Sequence, residues 1–141
     1  MTADVGILDT STVILLRALT DPTALPAEPS ITTITLAELS VGPLVATDEG
    51  ERAARQAHLQ QAESDFDPLP FDAAAARAFA EVAADLRGAG RTTRARAYDA
   101  LIAAVALSRD LPLFTVNPDD FAHIRRLRVV PVAHPADDAD R

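Results

Sequence analysis

"YDALIAAVALSRDLPLFTVNPDDF", residues 98–121, passes from an alanine-rich apolar stretch into a short apolar run and then into a turn rich in Asn, Pro and Asp. The pattern predicts a helix over 92–111 that is apolar nearly all round. It also predicts a strand at "PLFTV" (112–116) and a turn-helix from Asn117. The same alternation continues on both sides. "DVGILD" (4–9) reads as a buried strand, "TSTVILLRAL" (10–19) as a short helix, and "TDPTALPAEP" (20–29), with three prolines, as a loop. Residues 30–44 begin strand-like and turn helical at about Thr35; helices are expected over 48–66 and 72–90, with a short strand "DPLP" (67–70) between them. "RVVPV" (128–132) is the last strand, and "AHPADDADR" (133–141) an acidic tail expected to be disordered. Near-continuous apolar strands alternating with helices imply an α/β sandwich: one domain over residues 1–132, with a central parallel sheet of about five strands and helices on both faces.

Composition removes several chemistries. The 141 residues include no cysteine, which excludes disulfides, thiolate nucleophiles and zinc–thiolate sites. All 13 basic residues are arginine, so P-loop and Schiff-base chemistry lack their lysine. No stretch reaches the roughly 20 apolar residues of a membrane span, and a cytoplasmic protein without a membrane partner is expected. The formal charge of −8 runs against a polyanionic partner unless part of it serves a metal site.

Each acid has an ordinary structural reading. Asp9 suits an N-cap for the helix at residue 10. Thr35 and Glu38 match a capping box. Asn117, Asp119 and Asp120 are common turn and cap residues. Asp99 is harder to dismiss, because it heads the most apolar helix, where an acid needs a partner. Ligand sites in parallel sheets lie off the carboxyl ends of the strands. Several acids gathered there repel one another unless protonated or bridged, and hard Mg²⁺ or Mn²⁺ ions bridge carboxylates best. His58, His123 and His134 have no metal-binding spacing. Tyr98 reads as a helix packing residue rather than a base-stacking platform.

"LDTS", "LAELSVG", "YDALIAAVA" and "TVNPDDF" occur in the order and rough spacing of the PIN domain, and from about residue 5 to 132 the chain resembles VapC-type ribonuclease toxins of bacterial toxin–antitoxin pairs. The resemblance implies a PIN-like three-layer fold and a Mg²⁺-dependent endoribonuclease, with Mn²⁺ as an alternative. It makes Asp9, Glu38 and Asp99 the acidic triad, with Asp120 or Asn117 as the fourth position. Asn117 would be a neutral ligand or hydrogen-bond donor where the family pattern admits Asp. Ser11 and Thr115 would orient carboxylates. Arg91, Arg94 and Arg96 are candidate RNA phosphate contacts, against the alternative of a solvated basic helix start; Arg125, Arg126 and Arg128 read as surface. The implied partners are RNA and a VapB-like antitoxin with a helix among the N-terminal helices. The implied assembly is a homodimer, or a heterotetramer or octamer with antitoxin. Two other readings stand beside it: a catalytically silent PIN-fold interaction module, and a phosphohydrolase of small phosphate esters.

Overall fold

Four short parallel strands carry the molecule, and their order follows from which segments are apolar enough to be covered on both faces. The computed structural model describes residues 4–139. The first strand, β1 (Val5–Leu8), runs into helix α1 (Thr10–Ile14). Next come β2 (Glu28–Ser30), α2 (Thr33–Val41), α3 (Glu49–Asp65) and α4 (Ala73–Gly88). The chain continues through α5 (Ala97–Ser108), β3 (Leu113–Thr115), β4 (Val129–Pro131) and a short α6 (Pro135–Ala139). The strand order is β2-β1-β3-β4, every pairing is parallel, and Ile7 and Leu8 stand opposite Leu113 and Phe114.

Side chains alternate across the sheet and so build two cores. Ile7 and Leu113 join a cluster with Val82 and Leu86 of α4 and Ile102 and Val105 of α5. Leu8 and Phe114 join the opposite cluster with Val13, Leu39 of α2 and Ala62 of α3. This is the expected three-layer sandwich. Helix α5 is covered as its composition requires, with Ala100 and Ile102–Ala106 all buried. Among the described residues no helix is long and apolar enough to cross a membrane.

Two expectations are adjusted. The sheet has four strands rather than about five, because "DPLP" contributes only a bridge between Leu69 and Thr32. Leu69 N–H donates to the Ile31 carbonyl and its own carbonyl accepts from Thr33 N–H, but Pro68 and Pro70 have no N–H with which to lengthen the ladder. The second strand starts at Glu28, inside the stretch read as a loop, and ends before Thr32 caps α2. Within the acidic tail, Pro135–Ala139 form a helical turn, and the Asp137 carboxylate accepts from His134 N–H; residues 140–141 lie outside the described residues.

Gly6 fixes how closely β1 approaches its neighbours. A Cβ there would lie 2.5 Å from the Phe114 ring and 3.2 Å from Pro26 Cγ, and Phe114 is fully buried. Gly6→Ala is therefore expected to destabilise the fold by about 1–3 kcal/mol through overpacking. Urea unfolding would show this as a lowered midpoint with an unchanged slope.

Candidate active site

Asp9 stands where β1 becomes α1, in extended backbone as the N-cap of the helix. Its Oδ1 accepts from Thr12 N–H at 3.3 Å and from the Thr12 hydroxyl. Its Oδ2 accepts from Ser11 Oγ and from Thr115 Oγ1, both at 2.9 Å. Each hydroxyl is itself aimed by an N–H from the segment after β3. Val116 N–H donates to Thr12 Oγ1 at 3.1 Å, Asn117 N–H to Thr115 Oγ1 at 2.9 Å, and the Asn117 side-chain amide to Ser11 Oγ at 3.0 Å. Asp48 and Asp72 also cap helices, yet both remain exposed, whereas Asp9 is 3% exposed. Capping alone does not require that burial.

Glu38 is no capping-box residue. The N-cap of α2 is Thr32, whose hydroxyl accepts from Thr35 N–H at 3.3 Å. Glu38 lies a turn further along, half-buried, and its Oε1 accepts from Thr10 Oγ1 at 2.7 Å. Thr10 also contacts Thr35 Oγ1 at 2.9 Å. Burial, reinforced by the charge of Asp9, raises the Glu38 pKa against the opposing Thr10 bond.

Asp99 occupies the first turn of α5, a position where the helix dipole favours an anion. Its pKa is nonetheless pushed up to about 6, first by burial and then by the charges of Asp120, Asp9 and Glu38, with Arg96 opposing. The four acids named from the sequence therefore share one electrostatic neighbourhood, and burial and repulsion outweigh the cation and dipole there. Asp120 follows β3 in a 3₁₀ turn, Pro118–Phe121, and pairs with the Arg96 guanidinium.

Of the remaining expected residues, Asn117 joins through Ser11 and makes no side-chain cap. Ser11 Oγ and Thr115 Oγ1 both donate to the Asp9 carboxylate. Arg96 joins through Asp120, while Arg91 and Arg94 pair with no acid among the described residues. Arg126 is clamped on Glu81, and Arg125 and Arg128 lie beside Asp85 and Asp110. Tyr98 corrects its packing reading, since it is 58% exposed. It continues the buried face of Ile102 and Val105 by helical spacing, but the covering layer ends before it. Sequence reasoning missed Thr10 and Thr12; the run of three hydroxyl residues directly after Asp9 was the available signal.

The donor set is all oxygen and carries excess negative charge, which suits a hard divalent cation. Among the described residues, however, no three acidic or histidine side chains are gathered into a ligand group as they stand. Asp120 is turned to Arg96, Glu38 to Thr10, and Asp9 already accepts four hydrogen bonds. A cation that coordinated Asp9 would displace one of these donors or act through water.

The PIN domain family model matches residues 7–127. Over 119 residues, 83% of this chain and 85% of the relative, the sequence is 43% identical to Ribonuclease VapC5 of Mycobacterium tuberculosis. It is 35% identical over 102 residues to Ribonuclease VapC8 of the same species, covering 72% of this chain and 90% of the relative. Among solved structures, the VapBC-5 toxin–antitoxin structure from M. tuberculosis aligns with TM-score 0.79 and 39% identity over 92% of this chain and 99% of that one. The DNA-bound VapBC structure from Salmonella typhimurium aligns with TM-score 0.72 and 26% identity over 92% and 97%. A buried acid at the end of β1, further acids on α2, α5 and the turn after β3, and a family match spanning most of the sequence lead to one conclusion: this chain belongs to the PIN domain family.

Proposed function

We propose that this chain is the toxin of a toxin–antitoxin pair and acts as a divalent-metal-dependent endoribonuclease, hydrolysing RNA phosphodiester bonds with Mg²⁺ or Mn²⁺. The observation that carries the reading is a buried Asp9 carboxylate held by four donors at the carboxyl edge of a parallel sheet, close enough to Asp99 that its charge, with those of Asp120 and Glu38, helps raise the Asp99 pKa. The names of the relatives, ribonucleases of the VapC type, agree with it. Asp9, Glu38 and Asp99 would hold the cation, with Asp120 or Asn117 completing the set. When bound, the cation supplies Lewis acidity toward the phosphoryl group and the attacking water. The chain's own part is to hold these groups in place. Ser11, Thr12 and Thr115 fix the Asp9 carboxylate, Thr10 steadies Glu38, and Arg96 stands beside Asp120 as a cation available to phosphate charge.

An antitoxin partner fits the surface beside this site. A groove of about 550 Å³ runs between α1 and α3, lined by Val13, Ile14, Leu16, Ala57, His58 and Phe66. A cleft of about 240 Å³ carries on from it, sharing Ile14 and His58, to Thr10 and Glu38. An apolar helix seated in the groove would reach the acids through this cleft. The solved VapBC relatives are toxin–antitoxin systems, and we extend that pairing to this chain.

Cleavage of a cellular RNA pool by partner-free protein in Mg²⁺ or Mn²⁺ tests the reading. Asp99→Asn should lower the rate at least about 100-fold with unchanged circular dichroism, and Asp9→Asn should lower both the rate and the Tm, because its NH2 group would face two of the donors that now bond the carboxylate. Wild-type protein that is folded and binds Mn²⁺ yet cleaves no RNA would sink the nuclease reading.

The raised Asp99 pKa makes a separate prediction for metal-free protein. Between the unfolded value of 3.8 and the folded value of about 6 the native state binds more protons, so this group's stabilising contribution is fully present below pH 3.8 and lost as pH rises through 6. The Tm difference between Asp99→Asn and wild type should therefore widen in favour of the variant from pH 5 to pH 7. Mn²⁺ affinity of wild type, followed by calorimetry, should fall as pH drops below about 6, because the cation competes with the Asp99 proton.

A further inference from the structure

We propose that Tyr98 is the stacking platform for an RNA base adjoining the scissile phosphate. The inference deepens the ribonuclease reading and rests on RNA being the substrate. Tyr98 is 58% exposed, whereas all five phenylalanines are partly or fully buried. It directly precedes Asp99 in the first turn of α5, so the two Cα atoms are about 3.8 Å apart. The exposed ring therefore stands at the N-terminal end of α5, one position before the acid. The core makes no use of it, since the buried residues of α5 start at Ala100 and the phenol projects beyond the layer that covers Ile102 and Val105.

Charge supplies the second argument. RNA-binding proteins usually draw most of their affinity from phosphate contacts, but this chain has a formal charge of −8. Of the arginines just before Asp99, Arg96 divides its charge between Asp120 and that acid, and Arg91 and Arg94 pair with no acid among the described residues. A net charge of −8 opposes the approach of a polyanion beyond these few arginines, which leaves more of the recognition to the bases. An exposed ring is the group that binds a base of any sequence, because every base has a π-face.

The composition provides a clean probe. Tyr98 is the only tyrosine and there is no tryptophan, so ultraviolet-excited emission of the whole chain reports this one ring. Partner-free wild-type protein in chelator, which prevents cleavage, would be titrated with single-stranded RNA. Tyrosine emission and the anisotropy of an end-labelled RNA would be followed together. The proposal expects quenched emission, affinity within about twofold for Tyr98→Phe, and a loss of roughly 5- to 150-fold for Tyr98→Ala, the range for one stacked base. It also expects a shallower dependence of affinity on salt than in a phosphate-dominated binder. Equal RNA affinity for wild type and Tyr98→Ala with unchanged emission would overturn the proposal and leave the nuclease reading intact. Emission that responds to protein concentration but not to RNA would assign the ring to a protein interface and overturn it as well. Absence of both RNA binding and metal-dependent cleavage in every variant would remove the two readings together.

Discussion

The structure turns on a buried carboxylate that four donors hold in place. Asp9 joins the end of β1 to the end of β3 through Thr115, and to the start of α1 through Ser11 and Thr12. Those hydroxyls in turn satisfy N–H groups of residues 116 and 117. A hydrogen bond to a charged acceptor is worth about 1.5–3 kcal/mol, and a buried donor left without one costs about 1–3 kcal/mol. Thr12 and Thr115 are fully buried, so an apolar residue at position 9 would leave their hydroxyls without an acceptor. The same acid thus holds two strand ends together and supplies negative charge at the carboxyl edge of the sheet. Cap and site are two roles of one residue.

Around this anchor the chain tolerates an electrostatic conflict. Asp99 is half-buried among like charges, and the single arginine opposing them is shared with Asp120. Elsewhere the same sequence pairs its acids with arginines at the surface, as Glu81 with Arg126 and Glu51 with Arg55. Such pairs contribute little to stability. The contrast is informative nonetheless, because at Asp99 and Glu38 repulsion is left standing, where strand ends and helix starts meet. A local penalty retained inside an otherwise consistent fold is the usual mark of a functional site.

The layered fold was legible because its signals were strong and local: the apolar run of α5, the strand directly after it, and the acids closing β1 and heading α5. Proline chemistry was less legible. Pro29 lies inside β2 and Pro68 and Pro70 flank a lone bridge, and the period of a sequence does not tell an edge strand that tolerates proline from a loop. The acids themselves could be named, and Ser11 and Thr115 with them, but the partners Thr10 and Thr12 could not. That Thr32 rather than Thr35 caps α2, freeing Glu38 to meet Thr10, depends on the contact between α1 and α2. Tyr98 was illegible for a related reason. Helical spacing places it on the buried face, and only the tertiary structure shows where the covering layer stops.

Proline also sits in both outer strands, Pro29 in β2 and Pro131 in β4. An outer strand interrupted by a residue without an N–H is a poor template for another chain's backbone. Edge-to-edge aggregation and recognition by strand addition are disfavoured at both margins of the sheet. A macromolecule that binds at these margins must read side chains and grooves rather than add a strand.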